Sequence, residues 1–261
     1  MADGVRIGLC GFSMAFEDYV REYRLVEVQQ TFYEPPREGT MRRWRALAPT
    51  DFEFTIKAWQ LVTHDGSSPT YRRLRSPLSD TDRAAAGGFR ASPIVLRAWE
   101  RTLECAAILR ATAILLQCPA SFRPTEDNID RLRAFFGTVQ RPSGLRMLWE
   151  PRGPWPADVV ATLCRDLDLV HVVDPFVSTT VTPEQTYLRL HGITGARHVY
   201  TDVELDQLAG MLHEAPDQPA YVLFNNLPRV QDARRFRATL ERTGQFDFEG
   251  DKHARKGEPG P

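Results

Sequence analysis

The stretch TYLRLHG (186–192) alternates apolar and polar side chains. Leu188 and Leu190 share one parity, while Tyr187, Arg189 and His191 share the other. A period of two marks a β-strand with two unlike faces. Seven further runs of similar length surround it in the chain. They are RIGLCGF (6–12), VEVQQTFY (26–33), FEFTIKA (52–58), TAILLQCP (112–119), RMLWEP (146–151), VHVVDP (170–175) and AYVLFNN (220–226). Helical patterns separate them. Pro49 stops the helix that contains RRWRALA, Ser92-Pro93 supplies an N-cap and a first helical residue, and Thr201 with Glu204 forms a capping box. Strands alternating with helices build βαβ units and a parallel sheet. Eight such units predict an α/β fold, a closed (β/α)8 TIM barrel. The length of 261 residues fits one barrel domain of roughly 250 residues. The Pro175–Thr186 connection has no helical period, so the sixth helix is expected to be short or missing. An open doubly wound sheet is the alternative fold.

Working outward from the strands, residues 1–243 are read as a single barrel domain. Residues 244–261 (GQFDFEGDKHARKGEPGP) are polar and expected to form a disordered tail. The long segment Gln60–Ala91, rich in Gly, Ser, Pro and Arg, falls on the catalytic face and is expected to act as a lid. Lys plus Arg number 33 and Asp plus Glu number 34, a balance that argues against a dedicated nucleic-acid binder. No apolar run approaches the ~20 residues of a membrane span, and no signal peptide is expected at the start of the chain. Cys10, Cys105, Cys118 and Cys164 fit reduced, buried thiols of a cytoplasmic protein better than a disulfide or zinc framework.

Parity also assigns the inner face of the barrel. With Val26 and Val28 facing the helices, Glu27, Gln29, Thr31 and Tyr33 turn inward. The same reading points Thr55, Lys57, Glu150, Arg152, Tyr187, Arg189, His191 and Asn225 to the axis, with Gln117 on the parity of Ala113 and Leu115. Asp174 closes the sixth strand, whose facing parity leaves open. Nearly all of these lie at C-terminal strand ends, where barrel enzymes build their sites. An inward charge is costly unless paired or used. A stabilising network that pairs Glu27 with Lys57 and Glu150 with Arg189 is therefore the competing explanation.

The ordered set VEVQQTFY, FTIKAW with Thr63-His64 downstream, LLQCP, WEPR, YLRLHG and YVLFNN resembles the domain of unknown function 72 family, bacterial and archaeal barrel proteins. The resemblance runs from about Ile7 to about Arg234, and the succession RLHG then FNN is its most specific part. It implies the barrel fold and brings no agreed reaction. The family pattern is similar at Glu27, Thr31, Phe32, Tyr33, Lys57, His64, Gln117, Pro119, Glu150, Arg152, Asp174, Arg189, His191, Gly192, Asn225 and Asn226. The chain departs from it at Phe12, where Trp is usual, at Gln29-Gln30, where Asn-Ser is usual, and at Cys118, where Leu is usual.

The expected function is an enzyme acting on a small anionic or phosphorylated polar metabolite by acid–base chemistry at the C-terminal face. Glu27, Glu150, His191 and Asp174 are the candidate proton carriers. Tyr33, Lys57, His64, Gln117, Arg152, Arg189, Gly192, Asn225 and Asn226 are candidate substrate contacts, with Arg suited to carboxylate or phosphate. No cofactor is expected. A divalent metal on Glu27, Glu150, Asp174 and His191 is weaker because three nearby cations oppose it. A metal-dependent phosphohydrolase and a noncatalytic ligand- or nucleic-acid-binding barrel are the alternatives.

Overall fold

The computed structural model describes residues 4–213 and 220–243; the expected tail, 244–261, lies outside them. Each of the eight runs contains a strand. These are β1 (Arg6–Cys10), β2 (Leu25–Val28), β3 (Glu53–Lys57), β4 (Ala113–Gln117), β5 (Arg146–Glu150), β6 (Val170–Val173), β7 (Tyr187–Leu190) and β8 (Tyr221–Phe224). They pair in chain order and close into a barrel. The closing register runs parallel from Arg6 opposite Tyr221 to Leu9 opposite Phe224, which rules out the open sheet.

The helices are α1 (Phe16–Glu22), α2 (Gln30–Tyr33), α3 (Glu38–Leu47), α4 (Gln60–Thr63), α5 (Asp80–Ala85), α6 (Pro93–Leu109), α7 (Glu126–Thr138), α8 (Ala157–Leu167), α9 (Asp202–His213) and α10 (Arg229–Arg242). Their starts follow the local chemistry. The Ser92 hydroxyl accepts from Val95 N ahead of Pro93. Thr201 and Glu204 exchange side-chain and backbone bonds of 3.2 and 2.7 Å. No helix joins β6 to β7. The connecting loop is pinned to His171 instead: its backbone N donates to Thr182 Oγ1, its carbonyl accepts from Thr180, and its Nδ1 accepts from Val181 N. Among the described residues no helix is long and apolar enough to cross a membrane.

Two apolar layers follow the alternation. Val26, Val28, Phe54, Ile56, Leu188, Leu190, Val222 and Phe224 are buried between sheet and helices. Leu25, Ala113, Leu115, Leu148, Val170, Val172 and Leu223 fill the barrel axis. The run 26–33 is the exception. β2 stops at Val28, and Gln30–Tyr33 coil into one helical turn. Thr31 accounts for the turn. Its hydroxyl lies 2.8 Å from Val28 O and 2.7 Å from Lys57 O, and it accepts from Lys57 N at 3.2 Å. Strand parity therefore does not place Thr31 or Tyr33 in the axis.

The segment 60–91 carries more structure than its composition suggests. It holds α4, a 3-10 turn at Pro69–Arg73, and α5. Tyr71 is buried and donates to His64 O at 2.7 Å, while Phe89 is buried against Phe122 and Phe135. The Arg73 guanidinium sits 4.2 Å from the Tyr33 ring centre. The segment is thereby strapped across the β2–β3 side of the mouth.

Candidate functional site

The C-terminal ends of the strands carry Glu27 on β2, Lys57 on β3, Gln117 on β4, Glu150 on β5 and Arg189 on β7. Just past strand ends stand Arg152, Asp174, His191 and Asn225. Arg189 is the centre of the group and fully buried. Its Nε and Nη2 donate to Glu27 Oε1 at 3.2 and 2.8 Å. Its Nη1 donates to Glu150 Oε2 and, at 3.2 Å, to Gln117 Oε1. Glu27 also accepts from Tyr187 OH at 3.0 Å and from the Gln29 amide. One guanidinium thus bridges two buried carboxylates, and the pairing of Glu27 with Lys57 does not form. Such a network is satisfied internally, so Arg189 has little left to offer a ligand.

Glu150 is different because its second oxygen faces outward. Oε1 lies 2.7 Å from Arg152 Nη2 and 3.1 Å from His191 Nε2. Burial pushes its carboxyl up, but Arg189 foremost, with the His191 hydrogen bond and Arg152, outweighs this and holds it well below the usual range. The His191 side chain keeps 23% of its surface exposed, against 4% for Glu150. Its backbone N donates to Asp174 Oδ2 at 2.8 Å, and Asn225 Nδ2 lies 3.0 Å from its Nδ1. Arg152 Nη2 also approaches the ring, 2.7 Å from Nε2, so that nitrogen lies between a carboxylate oxygen and a guanidinium. Gly192 follows at φ +92, where a Cβ would stand 2.3 Å from Gly195 O, so a tight left-handed turn fixes the loop after His191.

Two cationic groups keep unspent capacity. Arg152 Nε is buried with no hydrogen-bond partner among the described residues, although its Nη2 is engaged. The Lys57 ammonium lies 3.9 Å from the Phe32 ring centre and enters no ion pair with a described residue. Beside Phe32 stands His64, buried, with Nδ1 2.7 Å from Thr63 Oγ1. Burial first, then Lys57, lower its imidazole to about 3, so it is neutral at ordinary pH.

Of the residues singled out by sequence, Glu27, Gln117, Glu150, Arg152, Asp174, Arg189, His191, Gly192 and Asn225 come together in one hydrogen-bonded group or its turn. Lys57 and His64 form a second group around Phe32. Tyr33 is half-buried under Arg73, with its carbonyl accepting from Gln60 and Trp59. Asn226 is fully buried, donating to Asp232 and to His198 O, and takes no part in the mouth. Gln29, turned inward by parity, and Phe32, part of the family pattern, touch the candidate residues without having been assigned a role; the turn after β2 that sets their contacts has no signal in spacing. Among the described residues no group of three or more His, Cys, Asp or Glu converges as metal ligands would.

Comparison with solved structures agrees with this architecture. A DUF72 family protein from Enterococcus faecalis is 19% identical with a TM-score of 0.71, over 91% of this chain and 95% of that one. A DUF72 family protein from Thermotoga maritima is 20% identical with a TM-score of 0.67, over 91% and 99%. D-Psicose 3-epimerase from Clostridium cellulolyticum, solved with D-tagatose, is 9% identical with a TM-score of 0.59, over 93% and 100%. At these identities the likeness is one of fold. No curated protein matches the chain. The family model described as "Protein of unknown function DUF72" matches residues 13–256. The chain belongs to the DUF72 family.

Proposed function

We propose that the chain is an enzyme that moves a proton on a small anionic polar metabolite at the C-terminal mouth, with His191 as the proton carrier. The observation that carries the reading is the His191–Glu150 pair. An imidazole open to solvent sits 3.1 Å from a buried carboxylate that its neighbours keep ionised. A carboxylate so placed stabilises the imidazolium formed when the ring takes a proton. Asp174 holds the His191 backbone N–H and Asn225 holds the ring at Nδ1. Glu150 is then an orienting base partner, and Glu27 belongs to the internal network. The partly exposed Arg152 guanidinium would receive the anionic part of the substrate.

The test is a thermal-shift screen of phosphorylated and carboxylated metabolites, followed by turnover of each binder. His191→Gln is expected to bind the same ligand and to lose about 10²–10⁴-fold in turnover, the usual worth of an acid–base group. Full turnover in that variant, or no metabolite bound by the wild type, removes the reading.

A further inference from the structure

Of the 33 basic residues, thirty are arginines and three are lysines: Lys57, Lys252 and Lys256. Lys57 is the sole lysine among the described residues, and it is buried inside the barrel. Arginine supplies the positive charge everywhere else in the fold. A guanidinium, however, does not lose its proton in proteins and offers no amine. If the position at the end of β3 needed charge alone, the pairing seen at Arg189 would be expected there too. Instead the ammonium makes no ion pair with a described residue and rests over Phe32 at 3.9 Å. The residue keeps 6% of its surface exposed at the end of β3. The groups that face it are Arg189 on β7, Glu27 on β2, Glu150 on β5, Cys10 on β1 and His64 beyond β3.

We propose that Lys57 is a nucleophilic amine that forms an imine with an aldehyde or ketone group of the substrate. This deepens the reading above, on which the choice of a small polar substrate at this mouth rests. Burial first, and Arg189 second, bring the amine from 10.5 down to about 8, with Glu27 and Glu150 pulling the other way. At pH 7 its neutral fraction is on the order of 100-fold above that of a solvated lysine. The neutral nitrogen attacks the carbonyl carbon, the C–N bond forms, and a proton passes from nitrogen to oxygen. The hydroxyl then takes one further proton from solvent and leaves as water while the nitrogen lone pair forms the C=N⁺ bond. One amine, one carbonyl and one proton give one protonated imine and one water. The Phe32 face, 3.9 Å away, suits that cation as it suits the ammonium.

The protein as it stands tests this, because two other lysines provide an internal reference. Formaldehyde and, separately, glyceraldehyde are added with cyanoborohydride at pH 7, and peptide masses give the rate at each lysine. Lys57 is expected to react at least 10-fold faster than Lys252 and Lys256 with one or both probes. A Lys57 that leads by less than that margin with both probes overturns the proposal. No variant is needed for this readout, so folding of a mutant does not enter. Fast Lys57 with unaltered turnover in His191→Gln would remove the acid–base reading and keep the amine; slow Lys57 with His191-dependent turnover would do the reverse.

Discussion

Arg189 carries two buried carboxylates on one guanidinium, and its loss should be the most damaging single change at the mouth. Arg189→Met is expected to cost about 3–5 kcal/mol, because it strands Glu27 and Glu150 as uncompensated charges. Urea denaturation measures this. The triple variant with Glu27→Gln and Glu150→Gln should recover much of the loss, since every buried charge then leaves together. A triple variant no more stable than Arg189→Met would contradict the pairing. The buried histidines predict an acid response. Burial, with Lys57 adding to it at His64, lowers His64 to about 3, and burial lowers His171 to about 4. Both lie below the value of about 6.5 for an unfolded histidine. A depressed folded pKa means that the unfolded chain takes up the proton first. Stability is therefore full above about pH 6.5 and is lost as pH falls to about 4 for His171 and about 3 for His64. Melting temperatures between these limits should fall, with a flatter slope in His64→Gln. Equal slopes would exclude His64 as a contributor.

At the scale of the elements, the strap over 60–91 and the loop that replaces the sixth helix are held by polar anchors to buried residues. The Tyr71 hydroxyl bond to His64 O is one of them. Gly87 is another point of close approach: at φ +77 a Cβ would stand 1.9 Å from that same carbonyl. Tyr71→Phe should remove about 1 kcal/mol locally. The strap contains Arg72, Arg73, Arg75 and Arg83, so trypsin reads its opening. Faster cleavage there with an almost unchanged global melt is the expected result. Cleavage at the wild-type rate would mean that the ring packing of Tyr71, and not its hydroxyl, holds the strap.

Over the whole molecule the two poles of the barrel separate stability from chemistry. At the N-terminal pole Glu53 on β3 accepts from Arg6 on β1 at 2.9 Å, Arg146 on β5 at 3.3 Å and Tyr221 on β8 at 3.0 Å, and from Thr112. Arg146 lies 4.3 Å from the Tyr221 ring centre. This cluster ties four strands together at the end away from His191. Glu53→Gln is expected to cost about 1–3 kcal/mol of stability. Turnover of any substrate found in the metabolite screen should stay at the wild-type level at temperatures where the variant is folded. A fall in turnover without a fall in melting temperature would show that the pole reaches the site.

The sequence by itself determined the eight strands, their order and, where polar and apolar residues alternate, which parity meets the helices, because a period of two is a local property of neighbouring residues; β6, apolar on both parities, stays open. TYLRLHG, RMLWEP and AYVLFNN each place their polar residues on the axis side by that rule alone, and the empty sixth connection was legible from its missing helical period. The end of β2 was not legible, since Thr31 turns the chain by bonding Lys57 O, a partner 26 residues away. The partners of the charges were equally out of reach. Parity sends Glu27, Lys57, Glu150 and Arg189 to the same axis but says nothing of which meet. Distances across a closed barrel follow from strand stagger and tilt, which no single strand encodes. Only closure brings β2, β5 and β7 around one guanidinium, while the Thr31 turn after β2, paired to the neighbouring β3, sets the Phe32 ring against the Lys57 amine.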